Sequence, residues 1–271
     1  MSSPREPAVA GQFYPGDPVA LRTQVGGCLA AAPPGEAVAA LAILVPHAGY
    51  VYSGAVAGAT FASAILPRVV VILCPNHTGM GEAIAVADRG VWLTPLGPAA
   101  INEALAGQIL GACPLARADD RAHLREHAAE VQLPFLQVIH EEFSFVPICV
   151  GTGRQAALTQ LGNDLAAAIA SFGEPVGILI SSDMSHYIPA PVARARDMLA
   201  IEPMLAIDPA GLFRVVREHD ISMCGVHPAV AGLTAAGVLG ARSARLIAYA
   251  NSGDTTGDYD RVVGYAGLII S

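Results

Sequence analysis

Charge is scarce in this sequence, and its cations are dispersed. Charged residues make up 14% of the 271 residues, the net charge is −8, and the 15 basic residues form no cluster. A protein that binds nucleic acid needs a basic patch to neutralise the phosphates. The composition therefore argues against a nucleic-acid partner.

Long apolar runs are also absent, although hydrophobic residues make up 53% of the chain and the mean hydropathy is +0.49. The longest uncharged stretch includes residues 37–66, but Pro46, His47 and several glycines interrupt it. A spanning helix needs about 18 consecutive apolar residues. We therefore expect no membrane association, and alanine-rich helices packed on a sheet account for the hydropathy.

Cysteine patterns typical of disulfide or zinc frameworks are missing. The five cysteines stand at positions 28, 74, 113, 149 and 224, and no two of them have a CxxC spacing. Residues 1–7 lack the apolar segment of a secretory signal. These features predict reduced thiols in a cytoplasmic protein.

Three apolar runs each end shortly before a histidine. Residues 40–45 precede His47, residues 69–74 precede His77, and residues 176–180 precede His186. Continuous runs rich in valine and isoleucine are typical of strands buried on both faces of a parallel sheet. Ligands bind beyond the carboxyl ends of such strands. If the strands are neighbours, the three imidazoles should meet at one edge of the sheet.

Strand and helix patterns alternate along the chain. We expect one α/β domain over residues 1–271, built as a three-layer α/β/α sandwich around a mixed, largely parallel central sheet. The connection near residues 31–35 is too short to separate domains. Further strands are predicted at residues 83–87, 90–93, 143–150, 176–182, 245–250 and 262–270. Helices are predicted at residues 18–31, 54–65, 99–110, 124–139, 156–172 and 228–239, and another begins at Asp208-Pro209.

Cys224 stands out among the cysteines because it lies in a loop before a predicted helix. A helix amino terminus stabilises a thiolate, so we expect Cys224 to be reactive and to serve as a ligand or nucleophile. Cys74 and Cys149 lie within apolar strands and should be buried packing residues.

A second candidate site is the HxxEH pattern formed by His123, Glu126 and His127. On a helix, this pattern presents two histidines to zinc and a glutamate as general base, as in one class of metallopeptidases. The alternative, which we favour, is a helix that lines the pocket with His127 and Glu130 near the site and His123 in solvent.

Six motifs in order resemble the Memo-like family, called AmmeMemoRadiSam system protein B in prokaryotes. The motifs are REPAVAGQFYP at 5–15, PHAGYVYSG at 46–54, EHAAEVQLPFL at 126–136, SDMSH at 182–186, CGVHP at 224–228 and NSGD at 251–254. The family is similar in fold to the class III extradiol dioxygenases, which are non-haem iron enzymes. This resemblance implies metal ligands at His47, His77 and Cys224, with Asp183 and His186 as acid/base or supporting groups.

The resemblance also implies a surrounding pocket and departs from the dioxygenases at one ligand. Residues expected to line the pocket are Tyr50, Glu126, His127, Glu130, His227 and Asp254. The dioxygenases use a carboxylate where this chain offers Cys224. A thiolate is soft and favours Cu(I), zinc or sulfur-bound iron. Catechol cleavage is therefore not carried over.

We expect a mononuclear Fe(II) or Cu(I) site, with zinc as a third candidate, and oxidoreductase chemistry on an unknown small molecule. A non-catalytic protein that binds a metal or a peptide in the same cleft is the alternative, because eukaryotic family members are associated with signalling. A zinc metallopeptidase that uses His123 is the third hypothesis. The resemblance further implies a functional link to AMMECR-like and radical SAM proteins.

Overall fold

The computed structural model of the protein describes residues 4–32 and 35–271. Residues 1–3 of the amino-terminal segment, and residues 33 and 34 of the predicted connection, lie outside the described residues. The strands are β1 (Val38–Ala39), β2 (Ala42–Val45), β3 (Ala64–Ile65), β4 (Val69–Pro75), β5 (Ile84–Val86), β6 (Val91–Thr94), β7 (Gly97–Ile101), β8 (Arg117–Ala118), β9 (Ser144–Val150), β10 (Val176–Ser181), β11 (His186–Ile188), β12 (Ala244–Asn251) and β13 (Val262–Ile270).

Helices alternate with these strands over much of the chain. They are α1 (Pro18–Ala30), α2 (Tyr50–Ala62), α3 (Glu103–Ala112), α4 (Leu133–Ile139), α5 (Gln155–Ala170), α6 (Ala190–Leu205), α7 (Pro209–Glu218), α8 (Val226–Val238) and α9 (Gly253–Thr256). None of the described helices combines the length and apolar character that a bilayer crossing requires.

The strands that precede the predicted site lie side by side in the main sheet. Its strand order is β11-β13-β2-β10-β4-β9-β5-β8, with β12 paired to β13 and the β6–β7 hairpin joined through β7 to β9. Strand β10 is parallel to both β2 and β4, with Ser181 opposite Val45 and Ile180 opposite Leu73. The expectation that these strands are neighbours is confirmed. β13 runs antiparallel to β2, which makes the sheet mixed.

Alternation along the strands divides the core into two layers. In β4, Val69, Val71 and Leu73 face one cluster, whereas Val70 and Ile72 face the other. Helices α3 and α5 to α8 cover the first face, and α1, α2 and α4 cover the second. Because successive strand side chains point to opposite faces, fully apolar strands require helices on both sides. The predicted α/β/α architecture is confirmed.

The predicted helix over residues 99–110 is wrong in its first part. Residues 97–101 form β7, which pairs antiparallel with β6 as a hairpin. The helix begins only after Asn102, whose side chain accepts a hydrogen bond from Leu105 N. Asparagine at this position satisfies one of the free N–H groups of the first turn and so fixes the start of α3.

The predicted helix over residues 124–139 is correct over residues 133–139 and wrong before them. A 3₁₀ turn at Glu130–Gln132 leads into the short helix α4, and residues 121–129 are irregular. The Arg5 guanidinium donates hydrogen bonds to the carbonyl oxygens of His123 and Glu126, at 2.8 Å each. The Glu126 carboxylate accepts Ala128 N at 2.9 Å. These hydrogen bonds to side chains satisfy backbone groups that a helix would otherwise pair.

A further difference concerns α6. No helix was predicted between residues 182 and 208, yet α6 spans sixteen residues there. Its polar and apolar residues are not segregated to separate faces, and Pro203 lies within its last turn, so the sequence carries no clear helical period. The start of α7 is as predicted, since Asp208 caps it by accepting Gly211 N at 2.8 Å.

A buried ion pair secures the amino-terminal segment. Arg5 Nη1 lies 2.7 Å from Glu130 Oε2, and both side chains are almost completely buried. Glu130 also accepts Ala8 N, Val9 N and the Tyr14 hydroxyl, at 2.8, 3.1 and 2.7 Å. A buried charge that loses its partner is strongly destabilising. The pair should therefore be essential for the fold of residues 5–14.

Replacing Arg5 with alanine is expected to lower the free energy of unfolding by about 3–5 kcal/mol, because Glu130 would stay buried without its cation. Arg89→Ala is the matched control, since the Arg89–Asp88 pair is exposed and should contribute little. Urea denaturation of both variants measures the difference. Equal losses of unfolding free energy in the two variants would show that the buried ion pair contributes no more to stability than the exposed one.

Candidate metal centre

The carboxyl ends of β2 and β4 bring two histidines to the same edge of the sheet. His47 follows β2 by two residues, and His77 follows β4 by two residues. Cys224 reaches the same point from the loop that precedes α8. One nitrogen of each histidine and the Cys224 sulfur lie within 4.8 Å of one another. The structure thus brings together the three predicted ligands.

The protonation of His47 follows from its neighbours. Its Nδ1 lies 2.9 Å from Ser181 Oγ, and Ser181 donates its own hydroxyl hydrogen to Ala128 O at 2.7 Å. Nδ1 must therefore be the donor, which leaves a lone pair on Nε2. Burial, and to a smaller extent the nearby His77, lower the pKa of His47 to about 3, so the ring is neutral near pH 7.

His77 is oriented by a buried carboxylate. Glu126 accepts both the ring Nδ1 at 2.9 Å and the backbone N of His77 at 2.7 Å. Burial alone would raise the pKa of Glu126, but the hydrogen bond and charge of His77, the Ala128 N–H and His127 together outweigh it and hold that pKa at about 2. A carboxylate behind Nδ1 directs Nε2 outward and makes it a better donor to a metal ion.

Cys224 is oriented but not activated in the metal-free protein. Its Sγ lies 3.2 Å from His47 Nε2 and accepts Asp183 N at 3.2 Å. The expectation of a stabilised thiolate is wrong. Burial raises the pKa of the Cys224 thiol well above its usual range, and the Asp183 carboxylate adds to the shift, which outweighs the position before α8. A bound cation would supply the missing stabilisation.

Asp183 connects two of the candidate ligands. Its Oδ1 accepts the backbone N of His47 at 2.8 Å, while its own backbone N points at Cys224 Sγ. The carboxylate is 5% exposed, and burial raises its pKa. Asp183 therefore fixes the turn that presents His47 and faces the same cavity.

His186 lines the cavity and uses its Nδ1 to bind the backbone of Ser222. Its Nδ1 lies 2.8 Å from Ser222 O, and its backbone N donates to Ser222 Oγ at 2.7 Å. A carbonyl oxygen only accepts, so Nδ1 carries the hydrogen and Nε2 of the neutral ring keeps its lone pair. This is the arrangement that a general base requires.

A second group of possible ligands, formed by His77, Glu126 and His127, shares His77 with the first. Glu126 is completely buried, and its oxygens already accept hydrogen bonds from His77 and Ala128. A cation here would have to displace the 2.9 Å hydrogen bond to His77 Nδ1. Glu126 is therefore better suited to support His77 than to hold a metal itself.

A cavity of about 690 Å³ opens beside these groups. His47, His77, His127, Asp183 and His186 form part of its wall. The aromatic lining consists of Phe13, Tyr52, Tyr187 and Tyr265. No arginine belongs to the lining formed by the described residues. The cavity can thus enclose a small molecule with an apolar or aromatic part.

Comparison with known proteins shows the family to which the chain belongs. The family model described as "Memo-like protein" matches residues 5–269. The chain belongs to the Memo-like family. A MEMO1 family protein of Aquifex aeolicus is 44% identical over 98% of each chain, and one of Methanopyrus kandleri is 39% identical over 98% of each chain. A third, from Methanocaldococcus jannaschii, is 37% identical over the full length of both.

A solved structure supports the fold alone. An uncharacterised protein of Escherichia coli K12 matches 84% of this Memo-like chain and 98% of its own, with a TM-score of 0.59 and 12% sequence identity.

Of the six residues predicted to line the pocket, His127 belongs to the cavity wall of the Memo-like protein and the other five lie away from it. Glu126 is completely buried and accepts a hydrogen bond from His77. The Tyr50 hydroxyl donates to Val131 O in the core, and Glu130 binds the amino-terminal segment. His227 packs against Gly153, and Asp254 accepts Asn251 N in its own loop. Ser252 and Thr256 from that loop reach the cavity instead.

The aromatic lining was not predicted. Phe13 and Tyr52 lie inside two of the family motifs, and Tyr187 directly follows His186, so their positions carried a signal. Tyr265 lies within β13, and nothing in the strand pattern distinguishes it from a core residue.

The HxxEH pattern does not form a zinc pair in this Memo-like protein. Residues 123–127 are not helical, and His123 is 1% exposed rather than solvated. Its Nε2 lies 3.2 Å from Ala85 O, and its ring packs 5.6 Å from Trp92. His127 instead lines the cavity, with its ring 4.9 Å from His77. The geometry on which the peptidase hypothesis depends is absent from these residues.

Replacing His123 with glutamine should change the pH dependence of stability. Burial lowers the pKa of His123 to about 4, so the folded protein excludes a proton that the unfolded chain binds below about pH 6.5. Stability is therefore lost as the pH falls from about 6.5 to about 4, and this histidine accounts for about 3 kcal/mol of the loss.

Urea unfolding at several pH values should show a shallower loss for His123→Gln than for the unmodified protein. The variant should also keep its full metal content, because His123 lies away from the ligands. A loss of metal with the fold intact by circular dichroism would contradict that placement.

Proposed function

We propose that this Memo-like protein is an iron- or copper-dependent oxidoreductase that acts on a small molecule. The proposal rests on one observation: nitrogens of His47 and His77 and the sulfur of Cys224 lie within 4.8 Å of one another, and both histidines line a 690 Å³ cavity. The metal would be Fe(II) or Cu(I), with zinc as the redox-inactive alternative.

The donor set fits such an ion. His47 donates from Nδ1 to Ser181 Oγ, and His77 donates from Nδ1 to the Glu126 carboxylate, so each ring can offer Nε2 to a metal ion. Imidazole suits iron, copper and zinc, while thiolate selects the softer ions. A bound iron or copper ion would supply one-electron chemistry and a positive charge that lowers the pKa of Cys224.

His186 and Asp183 would handle protons. With Nδ1 committed to Ser222 O, His186 can accept a proton at Nε2 from a hydroxyl or amine held in the cavity. Burial raises the pKa of Asp183, which makes its carboxyl group a candidate for returning a proton. Both side chains contribute to the cavity wall.

The cavity wall and the sequence narrow the substrate class. The described lining has four aromatic rings and no arginine, which favours a molecule without a strongly anionic group. All 15 basic residues of the sequence are arginines, so no lysine can form a Schiff base with a carbonyl substrate.

Ring cleavage of catechols is not part of this proposal. The related dioxygenases leave positions open beside two histidines and a carboxylate, whereas Cys224 brings a more strongly donating thiolate. All five cysteines are free, which supports our proposal of a reducing, cytoplasmic location. The link to AMMECR-like and radical SAM proteins stays a prediction from the family resemblance.

The first test is metal binding. Protein purified anaerobically should bind about one Fe(II) or Cu(I) per chain, and His47→Ala combined with His77→Ala should abolish it, because two of the three donors are lost. His219→Ala, at the exposed carboxyl end of α7, is the matched control and should bind normally. Metal quantification and electronic spectroscopy measure both.

Undiminished binding by the double variant would refute the ligand assignment. Oxygen-uptake assays of the loaded protein with candidate hydroxylated small molecules then address catalysis. Stoichiometric metal without any turnover would favour the alternative of a metal- or peptide-binding protein.

Replacing Cys224 with aspartate should alter metal preference. A carboxylate is harder than a thiolate, so the variant should favour Fe(II) over Cu(I) relative to the unmodified protein, by about tenfold or more. The glutamate side chain is one methylene longer than aspartate, so Cys224→Glu tests whether the carboxylate of Cys224→Asp is too short to reach the metal. Competitive Fe(II)/Cu(I) titration under anaerobic conditions gives the ratio; an unchanged ratio would mean that the sulfur is not a ligand.

A further inference from the structure

Two consecutive serines lie next to the candidate metal centre: Ser181 is the last residue of the central strand β10, and Ser182 follows it. Ser181 and Ser182 are both completely buried. Because successive strand residues point to opposite faces, their hydroxyls serve opposite sides of the sheet. Ser181 contacts His47 and Ala128 on one side, and Ser182 contacts Gly225 on the other.

We propose that Ser181 and Ser182 are positioning residues for the metal centre, Ser181 for the imidazole of His47 and Ser182 for the loop of Cys224. The inference rests on the proposed function for its metal, but the hydrogen bonds that carry it belong to the metal-free protein. One dipeptide would then align a nitrogen ligand and a sulfur ligand that lie 177 residues apart in the chain.

Ser181 has a full set of hydrogen-bond partners, and this decides its effect on His47. It donates to Ala128 O at 2.7 Å, and it accepts from His47 Nδ1 at 2.9 Å and from Gln132 Nε2 at 3.0 Å. With its single hydrogen committed, the hydroxyl can only accept from the histidine. The contact therefore selects the form of His47 that leaves Nε2 free for a metal.

Gln132 reinforces the orientation of Ser181. Its Nε2 donates to both Pro46 O and Ser181 Oγ, at 3.0 Å each. Its Oε1 is buried and has no hydrogen-bond partner among the described residues. The reversed amide would set that oxygen against the Pro46 carbonyl oxygen, which cannot donate. The observed orientation thus leaves one acceptor unpaired and keeps both N–H donors paired, one with Pro46 O in the turn before His47 and one with Ser181 Oγ.

Ser182 supports the opposite ligand through the backbone. Its Oγ accepts Gly225 N at 3.0 Å and donates to Asp183 O at 2.8 Å. The Gly225 backbone approaches so closely that a Cβ atom at this position would overlap the Ser182 side chain. Gly225, the residue after Cys224, therefore packs directly against Ser182, and this contact limits where the Cys224 sulfur can lie relative to His47.

The test compares Ser181→Ala and Ser182→Ala with Thr60→Val as the matched control. Thr60 is a completely buried hydroxyl that donates to Val56 O and touches no candidate ligand. Anaerobic competition for Cu(I) against a chromophoric chelator should show affinity losses of about 10- to 100-fold for each serine variant. The control should bind as the unmodified protein does, even if its melting temperature falls.

Two readouts on metal-free protein separate positioning from general destabilisation. In ¹⁵N-histidine spectra, Ser181→Ala should turn His47 from a single Nδ1–H form into a mixture, and Ser182→Ala should not. Alkylation of Cys224 by iodoacetamide should accelerate in Ser182→Ala and stay unchanged in Ser181→Ala. Ser181→Thr keeps the hydroxyl and should restore both affinity and the His47 spectrum.

If Ser181→Ala does not fold, Gln132→Met replaces it and should shift the same spectrum in the same direction. Unchanged His47 spectra together with unchanged Cys224 alkylation would overturn the inference. Affinity losses in Thr60→Val equal to those of the serine variants would overturn it as well. An unmodified protein that binds neither Cu(I) nor Fe(II) would instead refute the proposed function, while the spectra and alkylation rates would still decide the roles of the serines.

Discussion

The parallel pairing of β10 with both β2 and β4 is the constraint on which the candidate centre depends. It aligns three carboxyl ends, so that His47 and His77 flank the turn that carries Asp183 and His186. Loops that leave the ends of parallel strands are free to carry polar groups, since the strands beneath them are buried on both faces. Cys224 then needs only one loop, held by Ser182 and Asp183, to complete the donor set.

Buried charged side chains stabilise the irregular backbone between residues 121 and 129. A buried segment without helical hydrogen bonds must find other partners for its N–H and C=O groups. Arg5 binds the carbonyl oxygens of His123 and Glu126, the Glu126 carboxylate accepts Ala128 N, and the same carboxylate supports His77. The segment that abandons the helix is thereby the one that carries His127 to the cavity wall.

The sequence predicted the features that depend on local pattern. The buried strands, the layered architecture and the meeting of His47 with His77 follow from apolar runs that end in short turns. The features that the sequence did not predict depend on long-range contacts. Hydrogen bonds from Arg5 replace helical pairing in the first part of the helix predicted at 124–139, and burial raises the pKa of Cys224, which was expected to be low. His123 was placed in solvent because the distant Trp92 and Ala85 that enclose it leave no mark on its own segment.

The scatter of the site along the chain has a consequence for biosynthesis. Phe13, His47, His77, Cys224 and Tyr265 all face the same region, and β13, which holds β2 in place, is the final strand. Domains form as their segments emerge from the ribosome. Cys224 is synthesised 177 residues after His47. An ion held by the three candidate donors, as proposed, would therefore bind only after most of the chain has been translated.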